Sequence, residues 1–115
     1  MPVCSLDKLE PGEAGRDKSK LPVNVENADR LAISACCRYS PDANGTLRIH
    51  VLSGNDGKEF DTSDLRCFDL DLKPGNKVRQ TFESDVSSRF IKIVCENCDK
   101  ENDIEDIFIS IVLKK

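Results

Sequence analysis

An all-β antiparallel fold, a sandwich or a barrel, is what this sequence predicts, on three observations. Apolar residues recur at every second position in successive runs between Leu31 and Leu113. Clusters of Gly, Pro, Asn, Asp and Ser separate those runs at spacings of roughly 10–20 residues. No window of a dozen residues carries the 3.6-residue apolar stripe of an amphipathic helix.

The elements follow in order. Residues 1 to 28 read as a flexible N-terminal arm, because Glu10-Pro-Gly-Glu-Ala-Gly-Arg-Asp-Lys-Ser-Lys20 is polar and too poor in large apolar side chains to offset the cost of ordering it. Val23 and Val25 flank Asn24 and can begin a first strand, with Pro22 tolerated at its edge. The sandwich domain spans residues 29–115. In it Leu31, Ile33, Ala35 and Cys37 alternate with Ala32, Ser34, Cys36 and Arg38. Ser40-Pro-Asp-Ala-Asn-Gly45 is a loop, with Asn44-Gly45 as its turn signal. Leu47, Ile49 and Val51 then alternate with Arg48, His50 and Leu52. After the Ser53–Gly57 turn and a short extended piece at Phe60, Phe68, Leu70 and Leu72 alternate with Cys67, Asp69 and Asp71. Lys73-Pro-Gly-Asn76 turns the chain into a weaker strand with Val78, Gln80 and Phe82. Ile91, Ile93 and Cys95 form the next run, and Ile107, Ile109, Ile111 and Leu113 the last. Seven to eight strands result.

Composition narrows the function. The chain has 115 residues, 38% apolar and 33% charged, with a net charge of −4. No apolar run approaches the roughly 20 residues of a membrane helix. A mildly acidic chain lacks the basic face of a nucleic-acid binder. The N-terminal Met-Pro-Val-Cys-Ser-Leu-Asp-Lys has neither a basic start nor an apolar core of a signal peptide, so a cytoplasmic location with reduced cysteines is expected.

Three sequence features resemble discoidin-like domains. Ser53-x-x-Asp56-Gly57-x-x-Phe60 is similar to their turn motif and follows a strand-like Thr46–Leu52. Ser88-Arg-Phe-Ile-Lys-Ile93 and Ile107-Phe-Ile-Ser-Ile-Val112 resemble two of their later strands. The resemblance covers about residues 30–113 and implies a jelly-roll, galactose-binding-like sandwich. Ligands of that family vary among sugars, lipids and proteins, so it carries no ligand identity. Candidate binding residues are Asp56 and Phe60 of the turn, with Arg48 and His50 facing outward from the strand before it.

Other residues suggest metal chemistry. Cys95-Glu-Asn-Cys98 has the spacing that can set two thiolates on zinc or an iron–sulfur cluster, with Cys36, Cys37 or Cys67 as further ligands if the fold gathers them. Cys36 and Cys37, adjacent on a strand, point to opposite faces and cannot both ligate one ion without a kink. The acidic loop Asp99-Lys-Glu-Asn-Asp-Ile-Glu-Asp106 has five carboxylates against one Lys. Asp99, Glu101 and Asp103 in it are candidate Ca²⁺ ligands, against the plainer reading of a solvated loop. Asp56, Asp61 and Asp64 would need a cleft to act as acid and base, and a small sandwich rarely has one.

Phe108 and Val112 lie opposite Ile107, Ile109 and Ile111, and Phe90 and Val94 lie opposite Ile91 and Ile93. Such doubly apolar strands need cover on both faces or present a patch to a partner. The expectation is a non-catalytic binding or assembly module, without a cofactor, for a protein surface, its own copy or a carbohydrate. The alternative is a metal-binding protein centred on Cys95 and Cys98.

Overall fold

The computed structural model of the chain describes residues 2–13, 23–54, 66–86 and 89–114. Its strands are β1 (Pro2–Leu9), β2 (Val23–Asn24), β3 (Arg30–Tyr39), β4 (Leu47–Gly54), β5 (Arg66–Asp69), β6 (Lys77–Asp85), β7 (Phe90–Asn97) and β8 (Ile104–Lys114). They form two four-stranded sheets, ordered β1-β8-β3-β6 and β2-β7-β4-β5, with every pairing antiparallel.

The pairs β1 with β8, β2 with β7, β3 with β6 and β4 with β5 are rungs of one long ribbon, folded back between β4 and β5. Rolling that ribbon places successive rungs alternately in one sheet and the other, which is a jelly roll. Among the described strands, consecutive partners in one sheet occur at β4 and β5; the other connections cross between sheets.

The period-two pattern decides which side chains meet. Leu31, Ile33, Ala35 and Cys37 of β3 face Ile49, Val51, Ile91, Ile93 and Cys95 of the second sheet across one buried core. Ile107, Ile109 and Ile111 extend that core along β8. One open side is closed by Phe68 of β5 and Phe82 of β6, edge strands of different sheets, whose rings stack with centroids 4.6 Å apart. Tyr39 ties the sheets with a polar link: its buried hydroxyl donates to the Leu70 carbonyl at 3.0 Å and accepts from the Leu47 N–H at 3.1 Å. Burial pushes its phenol well above the ordinary range, so it stays a donor throughout the useful pH range. Tyr39→Phe leaves a buried N–H and a buried carbonyl without that partner, and is expected to cost about 1–3 kcal/mol in urea unfolding.

The expected arm over residues 1–28 is corrected where the chain is described. Pro2–Leu9 is an edge strand on β8, with Cys4 opposite Ile109, Leu6 opposite Ile107 and Leu9 opposite Ile104. Val25, after β2, is buried, and its N–H donates to the Arg89 carbonyl. The arm's residues 14–22 lie outside the described residues. The pattern in β1 is hidden because its alternation breaks. Leu6 and Leu9 both pack inward although three residues apart, and so do Ile107 and Ile104 opposite them. The step is made at Asp106, the non-glycine residue with positive φ (51°) among those described. There β8 carries one more residue than β3 between the pairs Cys36–Phe108 and Arg38–Glu105, a bulge that returns Ile104 to the core. Asp tolerates the left-handed region better than most side chains.

The expected loop over residues 40–45 is the crossing from β3 to β4, which belong to different sheets. Glycine is needed there for close approach: a Cβ on Gly45 would lie 2.5 Å from the backbone of Asp99.

Candidate recognition surface

On the outer face of the β1-β8-β3-β6 sheet, strand β3 contributes small side chains. Ala32, Ser34 and Cys36 point outward because their neighbours Leu31, Ile33, Ala35 and Cys37 fill the core. On one flank, β8 sets Val112 beside Ala32, Ser110 beside Ser34 and Phe108 beside Cys36. On the other, β6 sets Glu83, Thr81 and Arg79 beside the same three residues. Phe108 is 42% exposed and Val112 57% exposed. The result is a shallow trough with a floor of small side chains. One flank carries Phe108 and Val112 with Ser110 between them, the other Thr81 between Glu83 and Arg79, and the flanking strands stand roughly 10 Å apart, two strand spacings.

Ion pairs mark both ends. At one, Arg30 reaches Glu83 at 3.2 Å and Asp85 at 3.5 Å, and Lys114 reaches Glu83 at 2.8 Å. The Lys114 hydrogen bond and charge, with Arg30, hold the Glu83 carboxyl below the usual carboxylate range. At the other, Arg38 lies 3.8 Å from Asp106. All are solvent-exposed and add little to stability; they fix the trough's charged rims. A cavity of about 330 Å³ lies beyond the Lys114 end, lined by Asn24, Asn27, Ala28, Leu113 and Lys114.

Arg48 and His50 lie elsewhere, on the outer face of the other sheet. The Arg48 guanidinium forks onto Asp69 at 2.9 and 3.3 Å, which keeps it firmly cationic. His50 Nε2 lies 2.9 Å from Glu96 Oε1. Both side chains are thus engaged with carboxylates in the same sheet. On this face Leu52 and Val94 are buried, unlike Phe108 and Val112, so the apolar outward residues of β7 and β8 have different fates. Asp56 and Phe60, with most of the discoidin-like turn, lie outside the described residues.

The fold scatters the candidate metal ligands. Cys95 points into the core and Cys36 onto the outer face of the opposite sheet. Cys67 is exposed on β5, and Cys98, just after β7, is half-buried. Burial and then Glu96 push the Cys98 thiol up, against the pull of Arg48. Burial takes Cys37 up to about 12. Thiols with such values are poor thiolates at neutral pH. Among the described residues, no three His, Cys, Asp or Glu side chains gather where they would hold a metal.

The proposed Ca²⁺ ligands are also separated by role. Asp99 is fully buried and turned inward. Its Oδ1 accepts from the N–H groups of Glu101 at 2.8 Å and Asn102 at 2.9 Å, and its Oδ2 from that of Asn44 at 2.9 Å. Burial would raise its carboxyl, but these donors and the Asn102 amide overcome that and bring it from 3.8 to about 2. Glu101 is exposed, and Asp103 faces Lys8 at 3.9 Å. Beside Asp99, the buried Asn97 amide donates to the carbonyls of Leu9, Glu10 and Asn102. Asn97 Oδ1 in turn accepts from the Asp99 N–H. This polar cluster, invisible as a cluster in the sequence, knots the β1–β2, β3–β4 and β7–β8 connections at one end of the sandwich.

Comparison with known proteins supplies the fold and no family. No protein-family model and no curated protein matches the chain. Among solved structures, it is similar to "A novel family GH115 4-O-Methyl-alpha-glucuronidase, BtGH115A, with specificity for decorated arabinogalactans", with a TM-score of 0.51 and 12% identity. The match covers 96% of this chain and 16% of that one. At that identity the likeness establishes a shared β-sandwich.

Proposed function

We propose that the chain is a non-catalytic recognition module that binds carbohydrate along the trough on the outer face of the β1-β8-β3-β6 sheet. The observation that carries this reading is the trough's asymmetry. Exposed Phe108 and Val112 stand on one side with the Ser110 hydroxyl between them, Thr81 with the charged Glu83 and Arg79 on the other, over a floor of small side chains. A pyranose has the matching character, with an apolar C–H face for Phe108 and hydroxyl edges for Ser34, Ser110, Thr81 and Arg79. Two further points are consistent with it: the resemblance to discoidin-like domains, whose ligands include sugars, and a glycoside hydrolase among the structures of similar fold.

Affinity electrophoresis through gels containing neutral or uronic-acid polysaccharides tests it. Retardation by at least one of them is expected. Phe108→Ala should weaken that binding about tenfold or more, roughly 1.4 kcal/mol. Because Phe108 stands outside the core, its stability should change by less than about 0.5 kcal/mol. Unretarded migration in every gel, or equal binding by the variant, contradicts the proposal.

A second reading, a protein surface or a second copy of the chain, is favoured by Val112, the more exposed of the two apolar residues. Light scattering at increasing concentration separates self-association from a strict monomer.

A further inference from the structure

We propose that Cys4 and Cys95 form a reversible oxidation site, at which a low-molecular-weight disulfide such as glutathione disulfide closes a covalent staple between the two sheets. Their Sγ atoms lie 3.7 Å apart inside the core. Cys4 belongs to β1, an edge strand of the first sheet, and Cys95 to β7, in the interior of the second. No β-ladder links these strands, so a bond here would join covalently two layers otherwise held by core packing and by side-chain hydrogen bonds such as those of Tyr39 and Asn97. The remaining cysteines are not so placed. Cys36 and Cys37 point to opposite faces of β3, Cys67 is exposed on β5, and Cys98 is half-buried after β7.

The chemistry balances as two exchanges. One cysteine thiolate attacks the glutathione disulfide, forming a mixed disulfide and releasing one glutathione thiolate. The second cysteine thiolate attacks the protein sulfur of that mixed disulfide, forming Cys4–Cys95 and releasing the second. The two cysteine protons end on the two released glutathiones. The cysteines lose two electrons and the glutathione disulfide gains them.

Both thiols are buried, and the hydrogen-bonded neighbour Cys4 together with burial keeps Cys95 protonated. Reaction therefore waits on opening of the structure. The sheet itself offers a route. Among the described residues β1 pairs on one side only, with β8, and its register is irregular between Pro2 and Cys4. Local release of this edge exposes Cys4 without unfolding the molecule. Once closed, the bond spans a sequence separation of 91 residues. A loop of that size strongly restricts the unfolded chain.

The test uses the full chain. It is incubated in a glutathione disulfide buffer, alkylated, and mapped by mass spectrometry without reduction, and its melting temperature is compared before and after. A Cys4–Cys95 linked peptide is expected, with a rise in Tm of more than about 10 °C that dithiothreitol reverses. Cys4→Ala and Cys95→Ala should each lose both the peptide and the rise. The peptide map of the unaltered chain decides the matter even if a variant folds poorly. Alkylation of both cysteines after unfolding of the oxidised sample, a link to another cysteine, or an unchanged Tm overturns the proposal.

Discussion

Gly45→Ala is expected to destabilise the protein by about 3 kcal/mol or more, a larger effect than the same change at Gly12 or Gly75. The added Cβ would lie 2.5 Å from both the Cα and N of Asp99 and 2.6 Å from the carbonyl carbon of Cys98. These are backbone atoms, so no side chain can swing aside to relieve the contact. Relief requires separating the β3–β4 crossing from the β7–β8 connection, which would lengthen the bonds from the Asn44 N–H to Asp99 and from the Cys98 N–H to the Thr46 carbonyl. Overpacking of a rigid site costs about 1–3 kcal/mol and at times more, and the loss of hydrogen bonds adds to it. Gly75→Ala is a useful contrast. Its strain comes from a φ of +76°, and its nearest neighbour would be at 3.6 Å, so its cost should be only about 1 kcal/mol. Urea unfolding of the two variants in parallel checks the order.

The second large effect is at Asp99. Asp99→Ala removes the acceptor for three backbone N–H groups and is expected to cost about 3 kcal/mol. Asp99→Asn isolates the charge, with a pH signature whose sign is fixed. The folded carboxyl, at about 2, lies below its ordinary value of 3.8. Between those values the unfolded chain binds more protons than the folded one, so stability rises with pH through that window. The contribution is complete above about 4 and is lost as the pH falls toward 2. Acid unfolding followed by circular dichroism should show this step in the parent protein, and a flatter profile over the same window in Asp99→Asn. Equal slopes would mean that the carboxylate is not what the Asn44, Glu101 and Asn102 donors hold.

Much of the architecture was legible because burial writes a period of two into the chain. Leu31 to Cys37, Leu47 to Val51, Ile91 to Cys95 and Ile107 to Leu113 all point where their alternation says. The edge strand β1 was not legible, since the bulge at Asp106 and the irregularity near Pro2 break its pattern and its neighbour in sequence is polar. Asn44-Gly45 marks the loop between β3 and β4, but the contact that Gly45 allows with a second, distant loop is not written in the turn signal. The polar cluster of Asn97 and Asp99 was hidden because an acidic run looks solvated. Only the fold turns one of its carboxylates inward onto backbone donors. For the surface, Phe108 and Val112 stood out by their place opposite an apolar stripe. The trough needed the register of β3 between β8 and β6, which single-sequence periodicity does not contain. Arg48 and His50 alternate with the core-facing Leu47, Ile49 and Val51, but the carboxylate that each meets on a neighbouring strand depends on strand pairing that the sequence does not contain.

The most direct test of the central claim is an NMR titration of the isotopically labelled chain with the polysaccharide fragment that retards it most in affinity gels. Carbohydrate binding along the trough predicts that amide shifts concentrate at Ala32, Ser34, Cys36, Thr81, Phe108, Ser110 and Val112. Shifts centred instead on Arg48 and His50, or on Asn24 and Asn27 at the end cavity, would place recognition elsewhere and contradict the account.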